Sequence, residues 1–420
     1  MKDQSFDRKA AEPNLAFDVV LKLAERCNLA CPYCYYFHQS YDGNSLTARM
    51  SDAVIEEIPR FLQRSMEQTN IRRFGIVLHG GEPLLLKREK VDHLCTLIRE
   101  VVEGKIDFRI AVQTNGTLIN DDWVDLFCKH NITVGISIDG PRELHDSKRP
   151  DHHGRGSYDG AVRGLRLVQK AVAEGRLKSV GALAVLHVSD ESEKLLEHLV
   201  YTLGINTPNL NFPRAGWDVD TAREWNKGVE SHRKVVRYWL ENLIDPDFHF
   251  VRGISDVLFA LNSDKGALRN DARSSSRHCI ATISSAGLLH VDDNLLGVDK
   301  RMSTTDLSIF GTSLADLIRS PLWQELNEAV DHCAECEDCE WYRSCRGGDL
   351  WNRISNSTFA RKSSICETIQ MIHEEVTAYL LDNNLVTVDE LAERLAAPVR
   401  ITARDTLDAL LRREPLALAS

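Results

Sequence analysis

The chain has 420 residues, 43% of them apolar and 27% charged, the balance of a folded globular protein rather than a disordered one. A count of 51 Lys and Arg against 62 Asp and Glu gives a net charge of −11, which argues against a general nucleic-acid binder with its basic surplus. No apolar run approaches the ~20 residues of a membrane helix, and the opening MKDQSFDRKAAEPN lacks the apolar stretch of a secretory signal. A cytoplasmic protein is expected, with no nucleic-acid and no membrane partner. Residues 17–23 alternate apolar and polar as a strand does. Residues 51–68 read as a helix, and 74–78 as a short strand that runs into Gly80-Gly81. Residues 89–102 are helical in pattern, 108–112 strand, 121–129 helix and 133–138 strand. Tyr158, Ala161, Val162, Leu165, Val168 and Val172 recur at helical spacing. Residues 180–188 read as strand, 191–203 as helix, 209–212 as strand and 222–244 as one longer helix. These β–α units predict an α/β fold, a partial (β/α)6 TIM-like barrel over residues 16–250 behind an N-terminal tail of residues 1–15, with its chemistry at the carboxyl ends of the strands. After residue 250 the rhythm changes to Cys-, Ser-, Asp- and Gly-rich sequence with short strand candidates such as 288–291. This predicts a small ligand-stapled domain over 251–380. The helical C-terminal extension, 381–420, opens on a candidate capping box in TVDE, residues 387–390.

The cysteines, 11 in number, are bunched. Cys27, Cys31 and Cys34 directly follow the first strand. Cys333, Cys336, Cys339, Cys345 and Cys366 lie near the end, with Cys279 before them. Cys95 and Cys128 sit on helical patterns and read as small buried apolar residues. Clustered thiols in a reducing compartment point to metal rather than disulfides. Three thiolates in one loop suit an iron–sulfur cube with one iron left open, whereas tetrahedral zinc wants a fourth ligand, which His38 would supply.

The spacing CxxxCxYC after the first strand of a β/α domain resembles the signature of radical S-adenosylmethionine (SAM) enzymes, and the resemblance spans roughly residues 16–370. It implies a [4Fe–4S] cluster on Cys27, Cys31 and Cys34, SAM on the open iron, and a 5′-deoxyadenosyl radical that takes hydrogen from an unactivated carbon. Gly80-Gly81-Glu82-Pro83 resembles the family turn that holds the SAM amino group. Glycines allow close backbone approach, and a carboxylate suits an ammonium. Gln113-Thr114-Asn115-Gly116 resembles its TNG element. By resemblance to sulfatase maturases, Ser137 and Arg149 hold the SAM carboxylate, and Tyr33 and Leu210 touch the adenine. A guanidinium fork suits a carboxylate.

Cys336-x2-Cys339-x5-Cys345 with Cys366 resembles the SPASM extension and implies one auxiliary [4Fe–4S] cluster on those four residues, a four-cysteine zinc site being the alternative. For a second auxiliary cluster the pattern retains Cys279 and Gly287 but has Asp292 and Asp349 where cysteines are expected. Carboxylate is a hard ligand for such a cluster, so the simplest expectation is that it is absent, with Cys279 a leftover ligand or free thiol, and with Asp ligation or recruitment of Cys333 as alternatives. Asp293 matches the aspartate that serves as base in sulfatase maturases, its bland reading being a turn residue. The resemblance is nearest to maturases of ribosomal peptides, notably those that form cyclophane crosslinks between an aromatic ring and a side-chain carbon. The alternatives are formylglycine formation, thioether formation, epimerisation and, outside enzymes, a zinc-binding interaction protein. The implied partners are a precursor peptide, an electron donor such as flavodoxin or ferredoxin, and a separate leader-peptide-binding protein.

Overall fold

The computed structural model describes residues 12–38, 49–187, 191–212, 217, 228–244 and 249–412. The 1–11 stretch of the expected N-terminal tail, the last residue of the strand expected at 180–188, most of the first third of the helix expected at 222–244 and the end of the C-terminal extension lie outside the described residues.

Each strand expected in the barrel is present. They are β1 (Ala16–Ala24), β2 (Arg73–Gly80), β3 (Asp107–Thr114), β4 (Thr133–Ser137), β5 (Val180–Val185) and β6 (Asn209–Asn211). They are joined by helices such as Asp52–Gln68, Arg88–Val102, Asp121–Lys129 and Tyr158–Ala173. Ser51 and Asn120 start two of these helices by accepting from Val54 N at 3.3 Å and Trp123 N at 3.0 Å, a satisfaction of orphan amides that short polar side chains provide. The segment expected to be helical over 191–203 is helix for Glu193–Glu197 and then widens into a π turn at His198–Thr202.

The sheet order is β6-β5-β4-β3-β2-β1, all parallel, as short right-handed β–α connections require. Side-chain alternation splits it into two unlike faces. Val19, Leu21, Leu23, Phe74, Ile76, Leu78, Ile110, Val112, Val134 and Ile136 belong to the apolar core beneath the helices. The other face carries Asp18, Lys22, His79, Arg109, Gln113 and Ser137, and these pair with one another. Gln113 Nε2 donates to Ser137 Oγ at 2.9 Å, and Lys22 Nζ lies 3.2 Å from His79 Nδ1. The parallel sheet thus has one apolar and one polar face.

The sheet does not stop at the boundary expected near residue 250. Strand β7 (Ile280–Ile283) pairs in parallel with the free edge of β1, Asp18 against Ile280 and Leu21 against Ile283, and β8 (Leu289–His290) returns antiparallel to it. Around them the later region is mainly helical, with Ile254–Asn262, Asp264–Ser275, Pro321–Asp331 and Cys366–Asp382. The C-terminal helices Val388–Ala396 and Ala403–Leu411 fold back onto this body. Thr387 and Glu390 form the expected capping box, at 2.8 Å and 3.2 Å. Asp331 caps the last helix through Ala403 N at 2.8 Å and Arg404 N at 3.1 Å, and Leu410 O accepts from Asn70 N at 2.7 Å. Among the described residues no helix is long and apolar enough to cross a membrane.

His145, His232, His290 and His373 are buried, and burial pulls each down to about 4. A depressed histidine favours folding above its unfolded value of about 6.5, and that contribution drains away as pH falls towards 4, at most roughly 3 kcal/mol for each group. The denaturant midpoint should therefore drop steadily below pH 6.5. A midpoint unchanged between pH 7 and pH 5 would show that these rings are not held neutral.

Candidate functional site

At the carboxyl end of β1 the chain turns into the loop of Cys27, Cys31 and Cys34, all half-buried. The loop is fixed from several sides. Ala30 N donates to Pro150 O at 2.8 Å, His152 Nε2 sits 2.9 Å from Cys27 O, and Leu29 N approaches Cys27 Sγ at 3.4 Å. Asn115 Nδ2 lies 3.7 Å from Cys27 Sγ and donates to Asn28 Oδ1 at 2.9 Å. Burial raises the Cys27 thiol to about 12 and the Cys31 thiol to about 11. Without a cation beside them these thiols stay protonated, as buried thiols do. Among the described residues no three His, Cys, Asp or Glu side chains are gathered tightly enough to hold a single metal ion. A cube of several irons holds its cysteines further apart than one ion does. The donor set fits such a cube with one open corner. His38, the zinc alternative, has a side chain outside the described residues.

Glycines at the end of β2 let that strand press on the loop. Gly81 N donates to Ala24 O at 2.8 Å and Glu82 N to Arg26 O at 2.9 Å. A Cβ on Gly81 would lie 2.5 Å from Arg26 O, a backbone atom that cannot yield. The variant Gly81→Ala should displace the cysteine loop and cut SAM cleavage by roughly 100-fold, measured as 5′-deoxyadenosine release. Full cleavage would show that the close approach is incidental.

Glu82 is fully buried and its oxygens are committed to the protein itself. They accept from Leu84 N at 3.0 Å, Thr114 Oγ1 at 2.7 Å and Asn115 N at 2.9 Å. Burial outweighs these donors and raises its carboxyl to about 7. It clasps the turn after β2 to the turn after β3.

Ser137 closes β4, and Arg149 forms a two-pronged buried pair with Asp139, Nε to Oδ2 at 2.9 Å and Nη2 to Oδ1 at 3.0 Å. The Tyr33 hydroxyl donates to the same carboxylate, and its ring lies 5.5 Å from the Arg149 guanidinium and edge-on to His187. The contact with Tyr33, which lies between Cys31 and Cys34, places the guanidinium at the cysteine loop. Leu210 is buried in β6 among core side chains.

Asp293 sits in the turn that follows β8, with its side chain drawn to the polar face. Its Oδ2 accepts from Lys22 Nζ at 2.9 Å and from the Tyr35 hydroxyl at 2.8 Å. The side chains of Lys22 and Asp293 are 2% and 9% exposed. The ammonium also lies 4.6 Å from the Tyr36 ring centroid. This gathers a base, a cation, a phenol and His79 from β1, β2, the cysteine loop and the segment after β8.

Cys336, Cys339, Cys345 and Cys366 line one recess of about 320 Å³, walled by Trp341, Tyr342 and Ile369. Burial raises Cys345 to about 12. The four thiols fit one auxiliary cluster. Cys333 stands behind them, its sulfur 2.8 Å from that of Cys336. Cys279 is placed elsewhere, at the start of β7, where its carbonyl accepts from Asp18 N at 2.9 Å. Burial raises its thiol to about 12, with Asp18 the charge that bears on it. Asp292 and Asp349 already have partners in the segment before Cys279. Asp292 meets His278 Nδ1 at 3.0 Å and Asp349 meets Arg277 at 3.1 Å. These residues do not fit a second auxiliary cluster.

Residues 21–199 match the model of the Radical SAM superfamily. Over 365 residues the chain is 24% identical to the cysteine-type anaerobic sulfatase-maturating enzyme of Clostridium novyi, covering 84% of this chain and 92% of that one. It is 26% identical over 353 residues to the serine-type anaerobic sulfatase-maturating enzyme of Klebsiella pneumoniae, covering 81% and 83%. The solved structure of native anSMEcpe with bound AdoMet shares the fold, with a TM-score of 0.71 at 19% identity over 88% of this chain and 100% of that one.

Proposed function

We propose, from the premise that residues 21–199 form a radical SAM domain, that this enzyme oxidises a carbon–hydrogen bond of a peptide, joining an aromatic ring to a side-chain carbon. The cofactors are a [4Fe–4S] cluster and SAM, and when bound they supply a 5′-deoxyadenosyl radical that removes one hydrogen atom. Cys27, Cys31 and Cys34 hold the cluster. The backbone at Gly81 and the Asn115 side chain shape its rim. Ser137 and Arg149 face the carboxylate of SAM, while Tyr33 and Leu210 border its nucleoside. Cys336, Cys339, Cys345 and Cys366 hold an auxiliary cluster.

The observation that carries the oxidative reading is Asp293, held against Lys22 and Tyr35 on the polar wall. A substrate that gives up a hydrogen atom and then an electron must also release a proton, and the Asp293 carboxylate is the group we assign to take it. Epimerisation, which returns a hydrogen atom, has no use for such a base. The similarity to two anaerobic sulfatase-maturating enzymes across most of the chain favours a second reading, oxidation of a serine or cysteine to an aldehyde.

The test is mass spectrometry of two peptides after anaerobic turnover, one from a neighbouring precursor reading frame and one from a sulfatase. Loss of two hydrogens from the precursor, without hydrazide labelling and with all cysteines still alkylatable, is the expected crosslink. Hydrazide labelling of the sulfatase peptide would replace it with the second reading. Blocked cysteine alkylation would mean a thioether, and unchanged mass with deuterium uptake an epimerase.

A further inference from the structure

We infer that Asp139 is a positioning residue that sets the distance between Arg149 and the cysteine loop, and so fixes where the amino-acid end of SAM sits. The inference rests on the reading of residues 21–199 as a radical SAM domain and needs no peptide substrate.

Asp139 is 0% exposed, and its oxygens are spoken for. They accept from Arg149 Nε and Nη2, from the Tyr33 hydroxyl and from Val185 N at 3.0 Å, with His187 Nε2 at 3.7 Å. The carboxylate therefore acts through its neighbours and does not itself face a ligand. What it joins is informative. Tyr33 lies between Cys31 and Cys34, so one end of the contact is the cysteine loop. Arg149 is the other end, and Val185 belongs to β5.

A second circuit fixes the backbone on both sides. Asp139 N donates to His145 Nδ1 at 3.3 Å, His145 Nε2 lies 3.0 Å from Ser157 Oγ, and Ser157 Oγ donates to Arg149 O at 2.6 Å. The adjoining Pro150 carbonyl takes Ala30 N of the cysteine loop at 2.8 Å. Asp139 and Arg149 are thus tied through side chains and through main chain, and both are tied to the loop.

A guanidinium has five N–H donors in a rigid fork. The pair with Asp139 uses Nε and one N–H of Nη2, which fixes the plane of the guanidinium and leaves the Nη1 donors outside the pair. A carboxylate ligand spanning from the cluster loop to Nη1 meets a donor whose orientation was settled before binding, which removes the ordering cost of a long side chain.

The experiment compares anaerobically reconstituted wild type, Asp139→Asn and Ser157→Ala by equilibrium binding of three probes. SAM and S-adenosylhomocysteine carry the amino-acid carboxylate, and 5′-methylthioadenosine lacks it. Asp139→Asn should weaken the first two by about tenfold or more, as loss of an outer-shell partner does, and leave the third within about twofold. Ser157→Ala, which cuts the hydrogen bond to Arg149 O and the contact with His145 and retains the ion pair, should show the same pattern at about threefold; it carries the test if Asp139→Asn loses iron. Equal weakening of all three probes, or of none, overturns the inference. A wild type that binds none of them overturns the domain reading, and this inference with it.

Discussion

Replacing any one of Cys27, Cys31 or Cys34 by alanine should abolish SAM cleavage and lower iron by about four atoms per chain. The trio is not a set of reactive free thiols. Burial holds Cys27 and Cys31 at about 12 and 11, so without metal they are neutral at physiological pH. Their anions are worth having only when shared by a cation, and each lost thiolate leaves an iron without its protein ligand. Cys128, half-buried at the end of the helix Asp121–Lys129, is the control, and Cys128→Ala should leave cleavage and iron unchanged. Substitution of Cys336 with Cys345 should remove a similar amount of iron from the other centre. Colorimetric iron and sulfide assays beside 5′-deoxyadenosine release read all of these. Undiminished cleavage in the trio variants would end the radical SAM account of this loop.

The second large effect concerns the pair Lys22–Asp293. Lys22→Met leaves a carboxylate buried against a phenol with no cation beside it, and breaking such a pair costs about 3–5 kcal/mol. Exposures of 2% and 9% for the two side chains mean that solvent does little to soften the loss. The double variant Lys22→Met, Asp293→Leu removes both charges and should regain most of the stability, the sign of a pair rather than of two independent packing contacts. Function should separate from stability. Asp293→Asn keeps the volume and an acceptor for Lys22 but no longer takes a proton. It should continue to cleave SAM while yielding little modified peptide, so the ratio of product to 5′-deoxyadenosine falls about 100-fold. Urea unfolding and product ratios are independent readouts. A Lys22→Met protein as stable as wild type, or an Asp293→Asn enzyme with full coupling, would relegate the pair to wall packing.

Much of this was legible in the residues. The alternation in residues 17–23 and the helical spacing from Tyr158 to Val172 are local patterns, and local patterns survive into the structure as β1 and the helix Tyr158–Ala173. Cys27, Cys31 and Cys34 were legible because ligand spacing within one loop is a short-range constraint. Asp139 and Lys22 were not singled out. Asp139 reads as one more turn residue in SIDGP, and its importance comes from residues 10 and 46 positions away, Arg149 and Val185. Lys22 looked like the polar half of an alternating strand, and only the return of the chain at Asp293, 271 residues later, makes it a buried cation. Sequence also set a boundary at residue 250 that the hydrogen-bonded sheet ignores, because β7 is only four residues long, Ile280–Ile283, too short to announce its partner. Glu82 was read as facing an ammonium. The three protein donors around it became visible only when the turns after β2 and β3 were brought together.

The pairing of β1 with both β2 and β7 has a bearing on biosynthesis. As the polypeptide leaves the ribosome, β1 emerges well before β7, which lies in the last third of the sequence. Until then one side of β1 is an unpaired strand edge, the kind that invites wrong association, and Lys22 lacks Asp293. The nascent amino-terminal half therefore displays the cysteine loop before the wall beside it has been built. At that stage Cys27, Cys31 and Cys34 stand on a support that lacks one of its neighbouring strands.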